Sequence, residues 1–414
     1  MAKYSQYIVD PISIRAKLSR QIEVTSATCV QCQVCVNECR FLQLHGDPKF
    51  LADNYNPTDD FLHIPFECSL CELCTAVCLH GVEPPKLFLE MRREAFNRGQ
   101  NDLPQHRGLR NYEKKGTSKR FSWYALPENC DTIFFPGCAL TGSRSEITLK
   151  VFESLQRCIP TIGIVLDCCT KPSHDLGDEE YFLTMFGEMT EYLQNQGVKN
   201  ILLACPNCDK VFKTYADEFN IQTVYEILAQ IESPAEPVVK TKTVVLHDPC
   251  TARFNYKAQK GVRDLLNSRG IIGIEPPHSG KNTLCCGEGG AVNCFKPKLA
   301  NHWSQKQAAE GCGQPIVSYC AGCTQILGKY GKTDHILDLL FGETDQQAPV
   351  ARAPLTYFKR LKLKKHLQQH LAAATTRERT FPVKQRQKVG KEIIFFLLGF
   401  MFLLVPGLIF LIKH

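Results

Sequence analysis

Cys29–Cys39, CVQCQVCVNEC, and Cys68–Cys78, CSLCELCTAVC, share the spacing C-x-x-C-x-x-C-x-x-x-C, with every member displaced by 39 residues. Three thiolates stepped by two residues can wrap three corners of an iron-sulfur cube, while the fourth, starting the next helix, points away and completes another cube. The expected ligand sets are Cys29, Cys32, Cys35 and Cys78 for one 4Fe-4S cluster, and Cys68, Cys71, Cys74 and Cys39 for the second. Zinc is the competing reading, but zinc sites pair cysteines two by two and have no need of a swapped fourth ligand. Residues 1–100 are therefore expected to form a small domain holding two 4Fe-4S clusters.

Working outward, residues 101–129 are polar and poor in periodic apolar positions, and are expected to be a linker. From Cys130 onward, short apolar runs alternate with longer helical stretches, the pattern of strands and crossover helices in a parallel α/β sheet. Six runs end in cysteine: TIFFPGC, IGIVLDCC, NILLACPNC, then TVVLHDPC, NTLCCGEGG and QPIVSYCAGC. The order is the same twice: Cys138, Cys168-Cys169 and Cys205-x-x-Cys208, then Cys250, Cys285-Cys286 and Cys320-x-x-Cys323. The offsets, 112, 117 and 115 residues, mark an internal duplication, with residues 130–233 and 234–345 as two copies of one domain.

Ligands in parallel α/β sheets bind where the carboxyl ends of strands converge, so each copy's five cysteines are expected to meet there. Five thiolates including an adjacent pair exceed the needs of a cubane or a tetrahedral zinc, and a pair ligating two different irons favours iron-sulfur chemistry. His174, His247, Asp248 and Glu288 flank these motifs as candidates for hydrogen bonding around the sites or for proton donation. Cys130, Cys158, Cys294 and Cys312 fall outside the motifs and read as ordinary small side chains.

These motifs resemble the tandem cysteine-rich domains of heterodisulfide reductase and of the iron-sulfur subunits of anaerobic glycerol-3-phosphate dehydrogenase and glycolate oxidase. The second copy reads CCGEGG; the first reads CCTKPSHDLG, with Thr170 where the motif has glycine. The N-terminal part is similar to the α-helical ferredoxin domain of respiratory iron-sulfur subunits. The resemblance implies one or two further clusters, non-cubane 4Fe-4S, on the two quintets, which would then be the catalytic sites. It also implies either of two functions: reduction of a disulfide, or an electron relay linking a flavin dehydrogenase to a quinone or cytochrome b. The implied partners are a cytochrome b-type or quinone-reactive membrane subunit and a flavoprotein subunit.

At 414 residues and 44% hydrophobic content the chain can bury several cores, and with no apolar leader at its start the 22 cysteines read as intracellular metal ligands. The formal charge of +7 is local, since residues 351–392 hold twelve Lys or Arg against Glu378 and Glu392. A mildly acidic body excludes a nucleic-acid binder. The basic strip, residues 346–392, suits either an anionic membrane surface or a solvated helix. Residues 393–412 run twenty positions without a charge, so one C-terminal transmembrane helix is expected. The positive flank would place the body on the cytoplasmic face of the membrane as a single-pass protein. No Gly-x-Gly-x-x-Gly fingerprint follows a strand, which points any flavin or nicotinamide to another subunit.

Overall fold

The computed structural model describes residues 10–99, 103–231, 242–342 and 353–380. The first described element is a helix, Pro11–Thr28, set up by Pro11 in its first turn and by Asp10, whose carboxylate accepts the Ile12 N–H at 3.0 Å. It packs along a second helix, Pro84–Asn97, with short helices carrying the cysteine loops between them. Leu18, Phe41, Leu51, Phe88 and Met91 close this small core, and Val292, Leu299 and Ala300 from far along the chain complete it.

Ten strands follow among the described residues: β1 Trp123–Leu126, β2 Thr132–Phe135, β3 Gly163–Leu166, β4 Asn200–Leu203, β5 Asn220–Thr223, β6 Lys242–His247, β7 Ile271–Ile274, β8 Ile316–Ser318, β9 Thr333–His335 and β10 Thr375–Arg377. The first sheet runs β10-β1-β3-β2-β4-β5 and the second β7-β6-β8-β9. Within the first, β3-β2-β4-β5 are parallel, and the second is parallel throughout. The four parallel strands thus have one order in both copies, so the 112–117-residue repeat in the cysteines is also a repeat in topology. The copies share a core in which Val151, Leu155 and Val224 meet Val262, Leu265 and Leu337. The Tyr225 hydroxyl lies 2.7 Å from the Ala204 carbonyl and 2.9 Å from the Tyr319 carbonyl, the residues that precede the two Cys-x-x-Cys motifs.

Three expectations are corrected. Residues 101–129 are more than a linker: they supply a helix, Arg107–Gly116, and β1, which pairs antiparallel with β3. The basic strip does not lie free: Leu355–His370 is a helix against the first copy, and β10 pairs antiparallel with β1. Two of its cations turn inward, Lys364 donating to the carbonyls of Lys119, Arg120 and Ser122, and fully buried Arg379 bonded to Asp167 at 2.6 Å and Glu188 at 3.0 Å. The C-terminal transmembrane helix, and the single-pass location at the cytoplasmic membrane face inferred from it, are also withdrawn. No helix among the described residues is long and apolar enough to cross a membrane; the longest, Pro11–Thr28, spans 18 residues and carries Arg15, Lys17, Arg20 and Glu23. Residues 393–412 lie outside the described residues.

The three parts are joined at Arg92. Its guanidinium, fully buried, donates to the carbonyls of Pro65 (2.9 Å) and Cys68 in the N-terminal domain, Asp175 (2.6 Å) in the first copy and Gly290 (2.9 Å) in the second. Gly290, at φ +59°, lets the second copy approach this closely, because a β-carbon there would sit 2.6 Å from the Cys68 carbonyl oxygen. Replacing Arg92 with Met leaves four buried carbonyls short of a donor and should destabilise the protein by about 3–5 kcal/mol. Arg92→Lys, a point charge without the fork, should recover only a minor part of the loss. Urea denaturation of the anaerobically purified protein measures both, and wild-type stability in Arg92→Met would contradict this role.

Candidate iron-sulfur centres and paired cysteine sites

In the N-terminal domain, both cysteine loops use the same backbone device. Gln31 and Gln33 have left-handed φ values of +56° and +65°, and Leu70 and Glu72, 39 residues on, have +50° and +61°. Two left-handed residues between stepped cysteines curl the chain around a centre. The Leu70 N–H reaches the Cys68 Sγ at 3.4 Å, and the Val82 N–H reaches the Cys78 Sγ at the same distance. The neighbours of Cys35, Cys39 and Cys74 follow the swapped pattern. Cys35 is pushed up to about 11 by burial and by Cys29, Cys78 and Cys32. Cys74 is raised by burial and then by Cys39, Cys68 and Cys71, with Cys35 beyond them. Burial also lifts Cys68, to about 12, against the pull of Arg92. One cleft is lined by Cys29, Cys32, Cys35 and Cys78 and a second by Cys39, Cys68, Cys71 and Cys74, with Cys74 on the wall of both. Sulfur grouped in this way, with amides directed at Cys68 and Cys78, fits the 4Fe-4S groups implied by the sequence, since a metal replaces the proton that burial otherwise holds on Cys35, Cys39, Cys68, Cys71 and Cys74.

The ten cysteines of the duplicated domains form two further groups at the carboxyl ends of the strands. In the first, Cys138 follows β2, Cys168 and Cys169 follow β3, and Cys205 and Cys208 follow β4. The Cys169 and Cys208 sulfurs are 3.3 Å apart; the Cys168 thiol is directed at Cys138, and the Cys208 thiol at Cys205. The bond from Cys168 draws the Cys138 thiol below its usual range. Gly137 stands at φ +80°, and a β-carbon on it would lie 3.0 Å from the Cys205 Cβ and 3.2 Å from the Cys208 Sγ, so the group needs a bare backbone here. The second quintet is linked likewise, Cys250 to Cys285, Cys286 to Cys323 and Cys323 to Cys320. Thr170, in place of the motif's glycine, is held at φ +54° where Gly287 of the second copy has +92°. The turn survives the substitution at the strain of a left-handed β-branched residue, of order 1 kcal/mol.

The centres are contiguous. Cys71 of the second four-cysteine set is an electrostatic neighbour of both Cys250 and Cys285. Arg253, fully buried, fixes that contact by donating to the Cys71 carbonyl at 3.0 Å and to those of Lys281 and Thr283. Ionisable side chains lie between the quintets, Glu288 and Lys171 among them. Glu288, from CCGEGG, is raised to about 7 by burial and by Cys205 and Cys138 across the interface. Burial opposes the charge of Lys171, but Asp175, with Cys169 and Cys250, holds its ammonium above the ordinary range; the Asp175 carboxylate is 2.6 Å away.

The other flanking candidates separate on geometry. His174 is tied to Asp175 (2.9 Å) and the Tyr215 hydroxyl (2.8 Å). Asp248 is structural, bonded to Arg263, the Tyr319 hydroxyl and the Gly280 N–H, each at 2.8 Å. His247 is buried beside Cys286 and Cys323, and burial lowers it to about 4. Sequence reasoning missed Lys171, Arg92 and Arg253; of these Lys171 alone lay inside a recognised motif. Cys130 donates to the Thr132 carbonyl at 3.2 Å inside the core, while Cys158 and Cys312 are exposed and Cys294 is half-buried.

Residues 25–82 match the family described as 4Fe-4S dicluster domain, and residues 132–213 and 244–328 each match the family described as Cysteine-rich domain. Among curated proteins, a subunit of fumarate reductase (CoM/CoB) from Methanothermobacter marburgensis is 23% identical over 68% of this chain and 62% of its own length. A subunit of dihydromethanophenazine:CoB–CoM heterodisulfide reductase from Methanosarcina barkeri is 23% identical over 63% of this chain and 71% of its own length. EtfAB:quinone oxidoreductase from Syntrophomonas wolfei is 25% identical over 54% of this chain and 36% of that protein. The chain thus spans less than two thirds of the length of some of these relatives. It combines a dicluster domain with tandem cysteine-rich domains, an architecture that carries multiple iron-sulfur clusters.

Gly137→Val tests the first quintet alone. It should cut the iron content by about four atoms per chain while the reduced dicluster spectrum stays. Full iron loading in this variant would mean that the five thiols do not work together.

Proposed function

We propose that this heterodisulfide reductase-like iron-sulfur protein is an oxidoreductase subunit whose paired cysteine-rich sites reduce a disulfide with electrons supplied through its dicluster domain. The observation that carries the reading is contiguity. Cys71 adjoins the second quintet, and Glu288 and Lys171 lie where the two quintets meet. The ligands assigned are Cys29, Cys32, Cys35 and Cys78, then Cys39, Cys68, Cys71 and Cys74, then the two quintets. When bound, the clusters would supply one-electron transfer and, at the quintets, iron able to bind substrate sulfur.

The chain's own side chains answer the rest of the balance. Splitting R–S–S–R′ into one thiol and one thiolate consumes two electrons and one proton. Glu288, at about 7, holds a proton near neutral pH and faces the first quintet. Lys171 stays charged through Asp175 and sits beside Cys169 and Cys250, where it offsets negative charge on a leaving thiolate. Burial of these groups keeps bulk water from competing with them.

A second reading, a relay from a flavoprotein to a quinone-reactive partner or cytochrome b, is favoured by the likeness to a protein named as an EtfAB:quinone oxidoreductase. Iron and sulfide quantification on anaerobically purified protein, then electron paramagnetic resonance after adding a thiol under oxidising conditions, separates the two. Iron above the roughly eight atoms of two cubanes, with a thiol-dependent signal lost in Cys285→Ser and Cys168→Ser, is the expected result. About eight irons and no response to thiol would leave only the relay.

A further inference from the structure

The two quintets are built on one scaffold, yet they differ in a side chain packed against the sulfurs. Cys138 and Cys250 correspond at an offset of 112 residues, and at the same offset Phe135 corresponds to His247. Phe135, fully buried, belongs to the apolar cluster that contains Cys169 and Cys208. At the matching place in the second copy stands an imidazole beside Cys286 and Cys323, the counterparts of those cysteines. A ring nitrogen of His247 and the two sulfurs all lie within 4.8 Å of one another.

A fully enclosed imidazole in an apolar strand end normally satisfies both nitrogens, one as donor and one as acceptor. Here neither nitrogen makes a well-formed hydrogen bond, although the ring is 1% exposed. The Gln307 side chain lies next to the ring, and its amide oxygen is also without a partner. This is the environment of a metal-binding histidine, in which one ring N–H is oriented by a neighbouring carbonyl and the other nitrogen offers its lone pair to the metal. Packing alone does not ask for histidine at this position, since the first copy fills it with phenylalanine.

We propose that His247 is a nitrogen ligand of the metal centre held by the second quintet, Cys250, Cys285, Cys286, Cys320 and Cys323. The inference rests on the assignment of that quintet as an iron-sulfur site. It makes the two duplicated sites chemically distinct, one with sulfur donors only and the other with sulfur and nitrogen. The distinct site is the one that adjoins Cys71, and so the one nearer the dicluster domain.

The test is pulsed electron paramagnetic resonance on the full-length, anaerobically purified protein, prepared with ¹⁴N- or ¹⁵N-histidine and assayed for iron and sulfide. A strong nitrogen coupling that changes with the isotope is expected, and it should vanish in His247→Phe, a substitution that recreates the packing of the first copy. Labelling reads the unsubstituted chain, so the result does not depend on how the variant folds. Iron well above the two-cubane level with no histidine coupling, or only the weak coupling carried through a hydrogen bond, would overturn the role of His247 and leave the quintet intact. Iron at the two-cubane level alone would overturn the quintet assignment together with the ligand.

Discussion

A single guanidinium sets the geometry on which the rest of this molecule depends. Arg92 gives up its hydration entirely, a loss that costs several kcal/mol for any buried charge, and no carboxylate among the described residues is hydrogen-bonded to it. Instead its fork of donors meets four carbonyls drawn from three separate parts of the chain, with the Phe66 ring 5.2 Å beneath it. Charge-assisted hydrogen bonds contribute roughly 1.5–3 kcal/mol each, enough in sum to offset the desolvation. Two of those carbonyls belong to Pro65 and Cys68, beside the second four-cysteine set, and the others to loops that carry the two quintets. The relative position of three sulfur-rich centres is therefore fixed by main-chain hydrogen bonds, which do not drift with side-chain rotamers.

The parts of the chain legible in sequence were those where ligand chemistry dictates spacing. Repeats of 39 and of about 115 residues were visible because a cluster demands sulfur at set intervals, and the same intervals reappear as left-handed residues at 31, 33, 70 and 72 and as a repeated strand order. Segments whose role comes from distant partners were not legible. Trp123–Leu126 and Thr375–Arg377 are strands of four and three residues, too short to show an alternation; the first is held between β3 and β10, and the second, among the described residues, pairs only with the first. Lys364 and Arg379 read as surface charge, yet carbonyls and carboxylates some 200 residues away draw them inward. Arg92 and Arg253 carry no motif at all. The four polar residues flanking the cysteines were equal candidates by spacing, and packing alone ranks Glu288 and His247 against the sulfurs and Asp248 away from them.

Duplication has left the two copies alike in backbone and unlike in detail. Strand order and the cysteine order are shared, while Thr170 opposes Gly287 and Phe135 opposes His247. The scaffold tolerates these exchanges because the turn and the strand end are enforced by the sheet. Chemistry around each group of sulfurs can then diverge without a change of fold, as is general where function is placed on a common framework.

The closeness that Gly290 permits also bears on how such a protein is put together. Cys68, Cys74 and eight of the ten quintet cysteines are buried, and Cys285 has no contact with solvent. A carrier delivering iron and sulfide cannot reach Cys68 or Cys285 once the Gly289–Gly290 turn rests on the Cys68–Ser69 backbone. Maturation must therefore be ordered in time, with the inner centres filled while the N-terminal domain still stands apart, and the docking of that domain as the step that seals them.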